Sequence, residues 1–155
     1  MLNEKHFQAS GWGVAVGALG YLYSSFLMAD YVPFPGKIQV SVVSVDAPSE
    51  IVVSYETWPG FRRNTLIKLP GIDIPKDTPQ SDDCEREKAA RAMEFTQQFI
   101  GEAEKIFVKD MRMETSASEE AYSDILTNHG SLGQALKAEG LARPDSVAPD
   151  ASWCQ

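Results

Sequence analysis

The sequence predicts an α+β domain behind a single transmembrane helix. Three observations point there: nineteen uncharged residues from Gly11 to Ala29, three β-branched segments between Ile38 and Leu69, and two side-chain-capped helical stretches beginning near Cys84 and Ser131.

Residues 1–10 form a weakly basic N-terminal segment, and residues 11–29 (GWGVAVGALGYLYSSFLMA) have about the length that crosses a hydrocarbon core as a helix. A cleaved signal peptide is the competing reading. The apolar stretch is long for one, and Leu27-Met28-Ala29 is a poor cleavage site, so an uncleaved anchor is expected. Gly13 and Gly17 form a small-x-x-x-small pattern that would let a second membrane helix approach, although glycine is also simply common in such helices. Lys5 precedes the span, Asp30 follows it and the next cation is Lys37, so positive-inside counting places the N-terminus in the cytoplasm. The body then faces the periplasm or an equivalent compartment.

Residues 30–37, with Pro33, Pro35 and Gly36, read as an extended linker, and residues 38–155 as one domain. Ile38–Val42, Ile51–Tyr55 and Thr65–Leu69 carry strand patterns separated by proline-bearing turns, the signature of an antiparallel sheet. Ser81-Asp82-Asp83 then precedes a stretch with Ala89, Ala92, Thr96, Phe99 and Ala103 at helical spacing. That predicts a helix from Cys84 to about Gly101, with Asp82 and Glu85 placed to serve its first-turn amides. Ile106–Val108 and Ala121–Leu126 are two further strand candidates. Ser131 caps a helix through Leu132, Ala135 and Leu136 that stops at Gly140. Five strands interrupted by one helix are compatible with several α+β arrangements, among them a small OB-type Greek-key β-barrel.

Composition narrows the function. The formal net charge is -8, from 22 acidic and 14 basic residues, so the summed field repels phosphate backbones and argues against a nucleic-acid partner. The two cysteines, Cys84 and Cys154, lack zinc-site spacing and read either as one disulfide or as two free thiols. In an oxidising compartment the disulfide would persist. His6 and His129 assemble with no nucleophile and acid, and His129 falls in a turn, Asn128-His129-Gly130. Arg62, Arg63, Lys68 and Lys76 read either as a small basic patch or as scattered solubilising charge. Mixed charges over Cys84–Lys88 are ordinary decoration of a helix start.

An ordered set of motifs adds a resemblance. These are Trp58-Pro59-Gly60, Gly71-Ile72-Asp73-Ile74-Pro75, Cys84-Glu85-Arg86-Glu87-Lys88-Ala89-Ala90, Ser131-Leu132-Gly133-Gln134-Ala135-Leu136, Gly140-Leu141-Ala142-Arg143 and Trp153-Cys154. Over about three quarters of its length the chain resembles the thermonuclease family of staphylococcal nuclease-like OB-fold domains. It is most similar to a short subgroup with a cysteine-headed first helix and a Trp-Cys ending. That resemblance implies the OB fold. It also implies a calcium-dependent phosphodiester hydrolysis run by two metal-binding aspartates, a glutamate that handles the attacking water and two arginines that grip the phosphate.

Carried over residue by residue, the resemblance keeps little of that chemistry. The family's Gly-Ile-Asp-Thr-Pro-Glu pattern stands here as Gly71-Ile72-Asp73-Ile74-Pro75-Lys76, which leaves Asp73 as a vestigial metal ligand and puts Lys76 at the base position. An ammonium has three donors and no acceptor, so it cannot take a proton from water as a carboxylate does. The first arginine position holds Lys68, and ungapped counting puts Glu120 nearest the second, where a carboxylate repels phosphate. The turn that supplies the other aspartate corresponds to Ala47-Pro48-Ser49-Glu50, where Asp46 or Glu50 replaces it only with a shift of register.

Losing general acid-base help costs about 10²–10⁴ in rate, and losing an electrostatic stabiliser on the order of 10²–10³ more. The expectation is therefore a pseudonuclease without catalytic residues or cofactor, serving as a structural or accessory subunit of a membrane protein complex. Its contacts would run through the transmembrane helix and the OB domain. The alternative is a membrane-tethered calcium-dependent nuclease that holds Ca²⁺ with Asp73 and Asp46 or Glu50.

Overall fold

The computed structural model describes residues 35–115, 117–147 and 151–154. The expected membrane span at 11–29, with Gly13 and Gly17, lies outside the described residues, as does His6. Among the described residues no helix is long and apolar enough to cross a membrane.

The order is strands, helix, strands, helix. Strands β1 (Lys37–Ala47), β2 (Glu50–Trp58) and β3 (Phe61–Lys68) form an antiparallel meander, followed by the two-residue β4 (Ile72–Asp73) and helix α1 (Asp83–Gly101). Then come β5 (Ile106–Lys109), β6 (Glu120–Tyr122), β7 (Ile125–Thr127), β8 (Gly130–Ser131), α2 (Leu132–Ala138) and β9 (Arg143–Pro144). The larger sheet has the order β6-β3-β2-β1-β5-β7-β8, and β4 pairs with β9 separately. The result is a small α+β fold, a curled, mostly-sheet half-barrel with two helices.

β1 makes the curl. Its first half, Lys37–Val40, pairs with β5, while its second half, from Ser41 on, pairs with β2 across two register shifts. Such bulges bend a strand and increase its twist, so one strand serves two walls. On the far side β3 pairs with β6 in parallel. The backbones of Arg112 and Tyr122 also exchange two hydrogen bonds (2.9 and 2.8 Å), which bring the chain beyond β5 to the same edge.

Alternation explains the core. Ile51, Val53 and Tyr55 of β2 and Thr65 and Ile67 of β3 point inward and are buried, and Val108, Met111, Ala121 and Ile125 fill the other wall. Ala89, Ala92, Thr96 and Ile100 form the buried stripe of α1, where small alanines let the helix sit close to the sheet. Each buried Ile, Leu or Val contributes about 1.5–3 kcal/mol relative to exposure. The α2 cap is as expected: Ser131 Oγ accepts the Gln134 amide at 3.1 Å, and Leu132 and Leu136 are buried.

Two expectations change. The strand expected over Ala121–Leu126 is split, because Ser123 turns the chain from one wall to the other. Its amide donates to the Lys68 carbonyl, while its Oγ accepts the Lys109 amide and donates to the Lys109 carbonyl. At α1, Asp82 Oδ1 takes the Glu85 amide at 2.7 Å as expected, but the Glu85 carboxylate instead accepts the Lys76 amide at 3.1 Å. The loop before the helix reaches Glu85 first.

Candidate functional site

A cleft of about 670 Å³ opens between the β1–β2 turn, the segment from Ile72 to Asp77 and the start of α1. Its apolar floor includes Ile74, Ala89 and Met93, and its rim carries the carboxylates of Asp46, Glu50, Asp73 and Asp77 against the single ammonium of Lys76. The resemblance puts its metal-ligand candidates Asp46, Glu50 and Asp73 and its base position Lys76 here, whereas its phosphate positions, Lys68 and Glu120, do not line this cleft. The charge there is predominantly negative, the sign that turns phosphate away.

The local chain shapes this cleft. Pro70 and Gly71 make a tight turn in which Gly71 takes φ 69°, a conformation costly to residues with a Cβ, and that turn delivers Ile72 and Asp73 to β4. Across the cleft, the Leu69 amide donates to the Ser49 carbonyl at 3.0 Å and Thr96 Oγ1 to the Pro48 carbonyl at 3.1 Å, fixing the β1–β2 turn against β3 and α1.

Asp73 also pairs with Arg143. It lies opposite Arg143 in the β4–β9 pair, and its Oδ2 accepts from Arg143 Nε at 3.0 Å and Nη2 at 2.9 Å. The Arg143 guanidinium sits 4.1 Å from the centroid of the Trp153 ring, a cation–π stack, and donates through Nη1 to the Ala151 carbonyl at 2.7 Å. The Arg143 side chain is 14% exposed and that of Asp73 25%, so water screens this pair weakly. Trp153 is held in turn by Lys88 Nζ on its carbonyl at 2.7 Å and by the Cys84–Cys154 disulfide, whose Cα atoms lie 6.3 Å apart.

Lys68 and Glu120, which the resemblance matches to its two phosphate-gripping arginines, meet each other. Parallel β3–β6 pairing places them on adjacent strands, and Lys68 Nζ donates to Glu120 Oε2 at 2.7 Å. Lys68 also lies opposite Glu50 in the β2–β3 register. The hydrogen bond to Glu120 raises the Lys68 pKa above its ordinary 10.5; desolvation opposes the shift, and the charges of Glu120 and Glu50 add to it.

Lys76 is exposed on the cleft rim. Its backbone is held by Glu85 on the amide and by Ser81 Oγ, which donates to its carbonyl at 2.6 Å.

The remaining positions stay apart. Arg62 turns along β2 to the Ser54 hydroxyl and carbonyl, and Arg63 donates to the Ser118 carbonyl. His129 is exposed in its turn, with its ring nitrogen 3.3 Å from the Glu102 carbonyl. Asp46 Oδ1 accepts the Ser44 hydroxyl at 2.7 Å. Among the described residues, the one group of three or more His, Cys, Asp or Glu side chains with ligand atoms within 4.8 Å of one another is Asp82, Cys84 and Cys154, where both sulfurs are taken by the disulfide. Asp46, Glu50 and Asp73 do not lie within that distance of one another as a set of three.

Sequence reasoning missed Arg143 as the partner of Asp73, and Asp77 as part of the rim. Gly140-Leu141-Ala142 marks the position of Arg143 but not its partner. Neither comparison with protein-family models nor comparison with curated proteins yields a match to this chain.

Proposed function

We propose that the chain is a non-catalytic, membrane-anchored domain of the staphylococcal nuclease-like OB type, a pseudonuclease that serves as a structural or accessory subunit of a membrane protein complex. The Lys68–Glu120 ion pair carries this reading. Phosphoryl transfer needs cationic groups turned toward the substrate, whereas this cation is spent on a neighbouring carboxylate at 2.7 Å. Asp73 is likewise spent on Arg143, and the position for a general base holds an ammonium.

The OB assignment draws support from the β1–β2–β3 meander, the helix that follows it, the parallel β3–β6 pairing and the Arg112–Tyr122 bridge. The Cys84–Cys154 disulfide favours an oxidising compartment such as the periplasm, consistent with a body held outside the cytoplasm. Residues 11–29 supply the anchor by sequence, with Gly13 and Gly17 as the face for another membrane helix.

One observation favours the nuclease reading: Asp46, Glu50 and Asp73 do line the same cleft. The two readings part when the full chain in detergent is given single-stranded DNA and calcium. No turnover is expected, and turnover abolished by Asp73→Asn would sink the structural role. Copurification from native membranes with stoichiometric partners is expected as well, and a lone monomer there contradicts a subunit role.

A further inference from the structure

We propose that the tip of the β2–β3 hairpin is a second membrane contact, with Trp58 and Phe61 entering the headgroup layer of the bilayer that holds the N-terminal segment. The proposal rests on the membrane-anchored reading above. The tip is Trp58-Pro59-Gly60-Phe61: Pro59 fixes its own φ, Gly60 takes φ 83°, and Glu56 Oε1 accepts the Gly60 amide at 2.7 Å. A turn tied down in this way presents its side chains instead of folding them back. Trp58 is 69% and Phe61 68% exposed, the highest values among the exposed large hydrophobic residues described. The core does not use them, since β2 already fills its inner face with Ile51, Val53 and Tyr55.

The direction of the strands names the occupant. β1 and β2 are antiparallel, so the end of β2 lies toward the end of the sheet at which β1 begins. β1 begins at Lys37, and only residues 30–36 separate it from the apolar segment. A stretch of that length reaches at most about 25 Å when fully extended. The aromatic tip and the anchor therefore leave the domain on the same side. Tryptophan, with an apolar body and a polar N–H, is enriched in the headgroup layer, and a neighbouring Phe adds buried apolar area. The net charge of -8 opposes approach to anionic lipid, but a short tether holds the tip at high effective concentration near the bilayer. A protein partner is the competing occupant, and chain continuity favours lipid.

The test uses the full chain in phosphatidylcholine nanodiscs with brominated acyl chains, compared with unbrominated discs. Trp12→Phe with Trp153→Phe leaves Trp58 as the one indole; Trp58→Phe with Trp153→Phe leaves Trp12, at the start of the apolar segment, and keeps an aromatic ring over Arg143. Bromine quenching of both reporters is expected. Quenched Trp12 with unquenched Trp58 overturns the tip contact and leaves the anchor standing. Unquenched Trp12 overturns the anchored reading, and the proposal falls with it. Adding Phe61→Asp to the protein that retains Trp58 is expected to reduce its quenching with the far-UV circular dichroism unchanged. Full quenching despite that charge contradicts insertion of the tip.

Discussion

The two ion pairs at the positions marked by the nuclease resemblance are built differently. Asp73–Arg143 joins two short strands, is largely shielded from water and is roofed by Trp153, which the disulfide holds in place. Lys68–Glu120 lies on the outer face of β3 and β6, with side chains 29% and 54% exposed. The first pair ties β4 to β9 beneath the C-terminal tail, and the second joins β3 to β6 at the surface. A shielded pair of this kind costs much when one partner is removed, because the other is left charged without compensation. An exposed pair costs little to break, because water takes over.

Mutations separate the two pairs. The largest effect is expected on the shielded side, from Cys84→Ser with Cys154→Ser. The disulfide closes a loop with a sequence separation of 70, and removing such a link costs about 2–5 kcal/mol. Thermal unfolding reads this out, and an unchanged Tm would mean that the tail is held without it. Next comes Arg143→Ala, expected to cost about 2–4 kcal/mol by stranding Asp73. Adding Asp73→Ala should cost less than the sum of the two single changes, by a coupling of about 0.5–3 kcal/mol. Strict additivity in denaturant unfolding would show that the two do not act as a pair.

The exposed pair gives the smallest effect. Lys68→Met should lower Tm less than Arg143→Ala does, and its effect should fade in high salt while that of Arg143→Ala persists. The pH dependence has a definite sign. The folded-state pKa of Lys68 is raised, so its contribution is fully present below 10.5, constant through neutral pH, and lost as pH climbs through the raised value. A wild-type to Lys68→Met difference in Tm that changed between pH 6 and 9 would assign the effect to other groups.

Much of this fold was legible because its signals are local. Asp82 and Ser131 cap the helices they precede, and the alternation in β2 and β3 matches their buried faces. The places where the reading fell short depend on distant contacts. Nothing near Ser123 announces a switch between walls, because its partners are Lys68 and Lys109. β4 and β9 have two residues each, too few for any periodicity, and they bring Arg143 to Asp73 across a separation of 70. At the candidate site the ammonium of Lys76 could be read from the sequence alone. The pairing of Lys68 with Glu120 could not, since it depends on which strand lies beside β3.

Asp73 Oδ2 accepts two hydrogen bonds from Arg143, and the non-catalytic reading proposed above expects no calcium at this carboxylate. Thermal unfolding of the full chain with and without millimolar calcium tests this most directly, because a ligand that binds only the folded state raises Tm. The same Tm is expected in both. A calcium-dependent rise that disappears in Asp73→Asn would contradict it.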